Sequence, residues 1–420
     1  MSSDNAFTLN AGEQAAVETT PLEVKHGLPR EVVYCKKCVM SNQRPATSPE
    51  FNKKSTSDTP TSAFGEDGIC DACKYNEYKK NIDWDDRKVQ LGKLCDRFRR
   101  DDGRYDVVVP GSGGKDSIFV SHVLKKEFGM NPLTVTWAPH AYTAIGQVNM
   151  EAWQKVGHDN LLFTPDPNVH AYLTRLAFLN LVNPFQPFII GQKMLAARIA
   201  LQFGVPFVMY GENQAEAHND LEAAKQSLMD VKHFTCESLD QEMYFGGVST
   251  ADLAESHNIQ RKDLQPYLPI PRKDIEAAGI EVHFMSYYYH WSPQQNYYHA
   301  KDVSAFQSNP KGRSEGTYTR FSSLDDKIDG QHYFTMLVKF GQGRAMNDAC
   351  RDIRDGYISR EEGVMLVEKY DQEFPQEHFQ YFLDYIGISE EEYWKVVNNA
   401  RSPHLWKTTD GKWELRHPIR

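Results

Sequence analysis

Apolar positions set the first elements. Within residues 81–104, Leu91, Leu94, Cys95 and Phe98 recur at i, i+3, i+4 and i+7, with Arg97, Arg99 and Arg100 on other faces, and this spacing predicts a helix. The period then changes. Residues 105–109 are a Val-rich run that predicts a strand, followed by a Gly-rich turn, by 118–128 at helical spacing, and by a second strand over 132–137. That order is a βαβ unit. It continues with a strand at 161–164, helices over about 168–182 and 189–203, and a strand at 206–210. Alternation of this kind predicts an α/β fold with a doubly wound parallel sheet. Beyond residue 215 the pattern is less regular and rich in aromatics, notably 286–291 and 296–299. Ser359 with Glu362, and Ser389 with Glu392, satisfy a capping box ahead of apolar-periodic runs and predict helices near 360–370 and 390–399.

Composition changes this picture in two ways. A chain of 420 residues has room for two to three domains. Its 47 basic and 57 acidic side chains leave a net charge of −10, so no bulk positive field exists to hold a nucleic-acid backbone. No run of about 18 apolar residues occurs, and the N-terminal stretch lacks a basic and apolar leader pattern, so the expectation is a cytoplasmic protein with no membrane partner. The predicted organisation is a flexible tail over 1–30, a cysteine module over 31–80, an α/β domain over 81–220, an aromatic-rich substrate region over 221–345 that completes the site, and a C-terminal helical region over 346–420.

Four of the seven cysteines form two CxxC pairs, Cys35 with Cys38 and Cys70 with Cys73. Each short loop can aim two thiolates at one tetrahedral ion, so a structural Zn2+ is the expectation, against a redox CxxC or buried structural thiols. Four thiolates leave no open coordination position for a substrate. The stretch 41–67 between the pairs is rich in Ser, Thr and Pro, and reads as a polar loop hung on the metal site.

The strongest chemical signal is the Gly-rich turn, Pro110-Gly-Ser-Gly-Gly-Lys-Asp-Ser117, because it ends a predicted strand and opens a predicted helix, where backbone amides and the helix dipole bind phosphate. It is neither a Walker A loop nor GxGxxG: Asp116 stands where each would need another residue. Gly111, Gly113 and Gly114 allow close backbone approach, Ser112 and Ser117 offer hydroxyls, and Lys115 adds charge. Asp116, acidic beside an anion, calls for a bridging cation and is assigned to Mg2+. The end of the second strand at Trp137 is expected to seat adenine and ribose, with plain core packing as the other reading. Gly211 and Glu212 follow the last strand at the same edge; Glu212 either binds Mg2+ or substrate, or favours a helix N-terminus.

Ser112-Gly-Gly-Lys-Asp-Ser117 resembles the SGGxDS loop of the PP-loop ATP pyrophosphatases, which split ATP into AMP and pyrophosphate. The paired CxxC motifs together with 323–329 (Ser-Leu-Asp-Asp-Lys-Ile-Asp), 339–345 (Lys-Phe-Gly-Gln-Gly-Arg-Ala) and 401–406 (Arg-Ser-Pro-His-Leu-Trp) resemble the N-acetyl sugar amidotransferases of surface-polysaccharide and nonulosonic-acid biosynthesis, from about residue 31 to the end. The resemblance implies ATP, Mg2+ and structural Zn2+ as cofactors, an N-acetyl sugar acceptor, nucleotide-linked, and conversion of its acetamido group to an acetamidino group. Cys95, Cys236 and Cys350 lack the glycine flanks of a glutaminase elbow. Ammonia is therefore expected from a separate glutaminase of the histidine-biosynthesis type, with a cyclase-like subunit as a possible channel. Asp116, Lys327, Lys339 and Arg344 are the expected catalytic residues, the last three to neutralise leaving pyrophosphate or, failing that, as surface charge. A tRNA thiolase shares the N-terminal motifs; the acidic charge and the want of a clear persulfide cysteine stand against it.

Overall fold

A computed structural model describes residues 21–420 except 47, 59, 63, 214, 215 and 217–219. The central sheet is built from β1 (Val107–Pro110), β2 (Pro132–Trp137), β3 (Asp159–Phe163), β4 (Phe207–Tyr210) and β5 (Glu281–Phe284), all parallel, in the order β3-β2-β1-β4-β5. Successive side chains of a strand point to opposite faces. Val108, Val208 and Val282 accordingly pack on one face, against α5 (Pro167–Leu181) and α6 (Gln186–Phe203). Val107, Val109, Phe207 and Met209 pack on the other, against α2 (Trp84–Phe98) and α3 (Lys115–Lys126). Helices on both faces make the sheet doubly wound. The fifth strand, β5, and the helix α4 (Ala144–Gln154) have no counterpart among the predicted elements; β5 is only four residues long and sits inside an aromatic stretch with no clean alternation.

Ahead of the sheet, α1 (Asp71–Lys79) grows directly out of the second CxxC pair, with Cys70 as its N-cap. After it come α7 (Pro293–Val303), α8 (Asp329–Phe340), α9 (Arg344–Asp355), α10 (Arg360–Tyr370), α11 (Phe379–Ile386), α12 (Glu390–Ala400) and a hairpin of β6 (Trp406–Thr409) with β7 (Lys412–Leu415). Ser359 and Glu362 close a full capping box at α10, and Ser389 caps α12, as the pattern predicts.

Two segments behave otherwise than expected. Residues 1–20 of the predicted flexible tail lie outside the described residues, but 21–30 are docked: the Lys25 amide donates to Ser402 Oγ, His26 Nε2 meets the Ala400 carbonyl at 2.8 Å, and Leu28 is buried among helices of the C-terminal region. The polar stretch 41–67 is no loose loop. Phe51 is 2% exposed in the core beneath the sheet, and Gln186 Nε2 donates to the Glu50 carbonyl, pinning the segment to the start of α6. One apolar residue in a polar stretch suffices to anchor it, which composition alone conceals.

Candidate active site: a phosphate loop, an aspartate bridge and a basic cavity

The Gly-rich turn lies between β1 and α3, at the carboxyl edge where the strand order reverses between β1 and β4, the place where open α/β sheets bind ligands. Gly113 has φ +81°, and a Cβ there would stand 2.6 Å from the Met150 Cα, so only glycine fits. The N-cap of α3 is Gly114, with no side chain bonded to the first-turn amides. Other helices fill that role with Asp83, Thr143, Asp166 or Ser292. Uncapped amides at a helix N-terminus are a phosphate site. Asp116 accepts from Lys115 Nζ at 2.6 Å and from Asn296 Nδ2 at 2.8 Å, so a cation bound there would compete with the Lys115 ammonium for one oxygen. Ser117 Oγ donates to the Gly114 carbonyl.

Across this edge lies the acidic stretch 323–329. It pairs antiparallel with the chain after β2: Tyr142 bridges Asp326, the Lys327 amide donates to the Ala141 carbonyl, and His140 Nδ1 meets Asp326 at 2.7 Å. Gly146 is needed for the approach, since a Cβ there would lie 2.6 Å from the Asp325 Cα. Asp325 bonds Ser112 of the phosphate loop; burial pushes its carboxyl up, and that bond works the other way. Four residues on, Asp329 opens α8 and faces a cavity. Burial raises its pKa to about 7, opposed by the nearby Arg344.

The cavity encloses about 720 Å³, the size of a small-molecule site. Three parts of the chain make most of its wall, the described residues of 44–60, the start of α6 with the turn before it, and α8 with the start of α9, joined by His26, Glu212 and His233. Its charged lining is seven basic side chains, Arg44, Lys53, Lys54, Lys193, Lys339, Arg344 and Arg351, against Glu50, Asp58, Glu212 and Asp329. Burial lowers Lys193 to about 8 and Lys339 to about 7. Arg344 contacts the Tyr333 hydroxyl and pairs with Asp348 at 3.3 Å; burial works against its charge, and Asp348, Tyr333 and Asp329 outweigh it.

The expected site residues are therefore divided. Gly111, Ser112, Gly113, Gly114, Lys115, Asp116 and Ser117 share the loop. Arg344, Lys339 and Glu212 share the cavity, with Glu212 held by Arg351 at 2.7 Å instead of standing free for Mg2+. Lys327 is in neither; its ammonium lies 4.5 Å from the Tyr381 ring centre. Trp137 is a correction: it is 3% exposed, stacked on Phe163 at 5.2 Å and pressed on Gly191, so the core reading holds and adenine has no access to it. Gly211 packs under Trp291. The aromatic run 287–299 is mainly packing, with Tyr288, Trp291 and Tyr297 buried. Missed by the sequence reading were Asp325, Asp329, Lys193, Arg44 and Lys53. Only the acidic motif 323–329 carried a signal; the others converge from distant segments.

Cys35, Cys38, Cys70 and Cys73 are all buried, with their sulfurs within 4.8 Å of one another, at 3.9 Å for Cys35 with Cys73 and 3.7 Å for Cys38 with Cys70. A tetrahedral ion with bonds of ~2.3 Å sets sulfurs ~3.8 Å apart. The four thiols thus fit one tetrahedral ion. The remaining thiols are buried as well: Cys95 and Cys236 in the cores flanking the sheet, Cys350 against the four-cysteine cluster, and none lines the cavity.

The five-stranded parallel sheet with Ser-Gly-Gly-Lys-Asp-Ser between its first strand and the next helix has the architecture that the PP-loop resemblance implies, with a four-cysteine module in front and a helical region behind. Residues 315–420 match the family model described as the C-terminal domain of WbpG-like lipopolysaccharide (LPS) biosynthesis proteins. The description of that domain agrees with the surface-polysaccharide resemblance of the sequence. Among curated proteins no relative matches. Of solved structures, the NMN synthetase from Francisella tularensis aligns at 13% identity and TM-score 0.29 over 66% of this chain and 94% of that one. The U34-tRNA thiolase NcsA from Methanococcus maripaludis, solved with its [4Fe-4S] cluster, aligns at 11% identity and TM-score 0.19 over 88% and 86%. Neither alignment bears on the reading below.

Proposed function

We propose that this protein is an ATP-dependent, AMP-forming amidotransferase that converts the acetamido group of a nucleotide-linked N-acetyl sugar to an acetamidino group, for LPS O-antigen or nonulosonic-acid synthesis. One observation carries the reading: Asp325 ties the phosphate loop, through Ser112, to the acidic stretch whose other end, Asp329, faces the basic cavity. Two binding places, one for a triphosphate and one for an acceptor, are thereby joined by a single short segment.

In this reading the loop amides and the N-terminus of α3 hold the β and γ phosphates, with Lys115 neutralising charge. Asp116 would hold Mg2+, which offsets the negative charge of the pyrophosphate. The acetamido oxygen attacks the α-phosphorus, the bond to pyrophosphate breaks, and the amide N–H loses its proton. Ammonia then adds to the imidate carbon and AMP leaves with the oxygen, so one C–O bond is exchanged for a C–N bond. Asp329, with a carboxyl that titrates near neutrality, is suited to accept the proton. Arg344 lies beside it to offset charge that develops on AMP. A separate glutaminase, with a cyclase-like channel subunit, supplies the ammonia.

The test is direct. Purified protein with ATP, Mg2+, ammonium salt at mildly alkaline pH and a panel of nucleotide N-acetyl sugars should release AMP and pyrophosphate in step with replacement of one sugar oxygen by NH, read by mass. Asp116→Ala should abolish AMP release. Release with unmodified tRNA and a sulfur donor, and with no sugar, would overturn the proposal.

A further inference from the structure

The walls of the cavity carry a charge pattern that the adenylation chemistry leaves unexplained. The molecule as a whole is at −10, yet the cavity lining is net positive. On one wall stands Lys53, from the segment between the two CxxC pairs, its ammonium 2.6 Å from Glu50. Opposite, on α8, is Lys339, whose ammonium donates to the Leu181 carbonyl and makes no ion pair among the described residues, Glu50 favouring its charge only from a distance. The two are near enough that Lys53 works against the charge on Lys339. A third amine, Lys193 on α6, lines the same cavity and makes no hydrogen bond or ion pair among the described residues; it stands 5.2 Å from the Tyr210 ring centre and near His233. Like charges gathered in a half-buried site cost stability unless an anion joins them. His332, buried beside them with Nδ1 unpartnered, adds a donor or acceptor without adding charge, since burial holds it neutral.

We infer that Lys53, Lys339 and Lys193 form an oxyanion subsite for the acceptor, separate from the phosphate loop, and that the segment 44–60 is the wall that reads the acceptor's anionic group. The inference rests on the proposed reaction for the word acceptor; the subsite itself stands on the cavity. Lys339 then serves the acceptor and not the leaving pyrophosphate. The described residues of 44–60 suit the role because they are tied down at their middle, where Phe51 is buried in the core and Gln186 Nε2 donates to the Glu50 carbonyl. An oxyanion of two kinds fits the chemistry, the diphosphate of a sugar nucleotide or the carboxylate of an acidic sugar.

Equilibrium binding by the full-length, metal-loaded protein without ATP or ammonia tests this, with UDP-N-acetylglucosamine as the diphosphate probe and D-glucuronate as the carboxylate probe. One probe should bind, more weakly as salt rises, and which one binds identifies the anion. Lys53→Ala and Lys193→Met should each weaken that probe about ten-fold or more while leaving ATP affinity unchanged. Lys53→Arg should restore most of the loss, which a purely structural role would not require. Asp116→Ala should show the opposite pattern, losing ATP and keeping the probe. Binding of neither probe, variants that bind as the wild type does, or equal loss of ATP and probe would each overturn the subsite. A subsite that binds its probe in a protein that never forms an acetamidino sugar would instead take down the proposed reaction alone.

Discussion

Two residues facing the cavity should give it a pH response. Burial lifts the Asp329 carboxyl to about 7, while its value in an unfolded chain is ~4. Between those limits the folded protein holds a proton that the unfolded chain has lost, so this group makes stability fall as pH rises from ~4 to 7. Lys339 has the opposite sign. Burial lowers it to about 7 against ~10.4 unfolded, so between pH 7 and ~10 the unfolded chain binds the extra proton and stability rises with pH. Denaturation midpoints across a pH series should show Asp329→Asn flattening the fall and Lys339→Met flattening the rise; unchanged slopes would mean that these groups are solvated like ordinary side chains. Anion binding responds to both in one direction. Above pH 7 Asp329 gains negative charge and Lys339 loses its positive charge, so the affinity for the anionic probe should drop, and less so in Asp329→Asn.

At the level of elements, the segment 41–67 links the four-cysteine cluster to a cavity that the cluster does not touch. Its two ends leave Cys38 and return to Cys70, while its middle supplies Lys53 and Arg44 to the cavity wall. Metal analysis should find about one equivalent of zinc per chain. Chelation is expected to expose 44–60 to protease and to weaken the acceptor probe several-fold more than ATP, because the loop proposed for ATP is held by β1 and α3. Cleavage elsewhere first, or equal loss of both ligands, would separate the cysteine module from the cavity. The capping box at α10 and the Ser389 cap of α12 were legible because a cap is written in neighbouring residues. Phe51 was not, since the turn that carries it packs on α6 and on Tyr244–Phe245, both far along the chain.

For the whole molecule, residues 323–355 bring the acidic stretch, α8 and α9 over the carboxyl edge of the sheet, and the helices that follow are clasped by residues 21–30. Leu28 is 6% exposed in the same core as Phe382, Leu383 and Tyr393. Leu28→Ala should therefore cost about 2–4 kcal/mol in chemical denaturation, where a flexible tail would give no change.

What the sequence by itself determined is local: the βαβ alternation, the Gly-rich turn with its uncapped helix, the two CxxC pairs and the helix caps. Each depends on residues a few positions apart, so periodicity and spacing suffice to read it. Only the tertiary structure decided that Trp137 belongs to the core, that Lys327 stands apart from the cavity, and that Lys53, Lys193 and Lys339 share one cavity. Those assignments depend on which faces the sheet and helices bury against one another, and burial couples residues hundreds of positions apart with no signal in the chain between them.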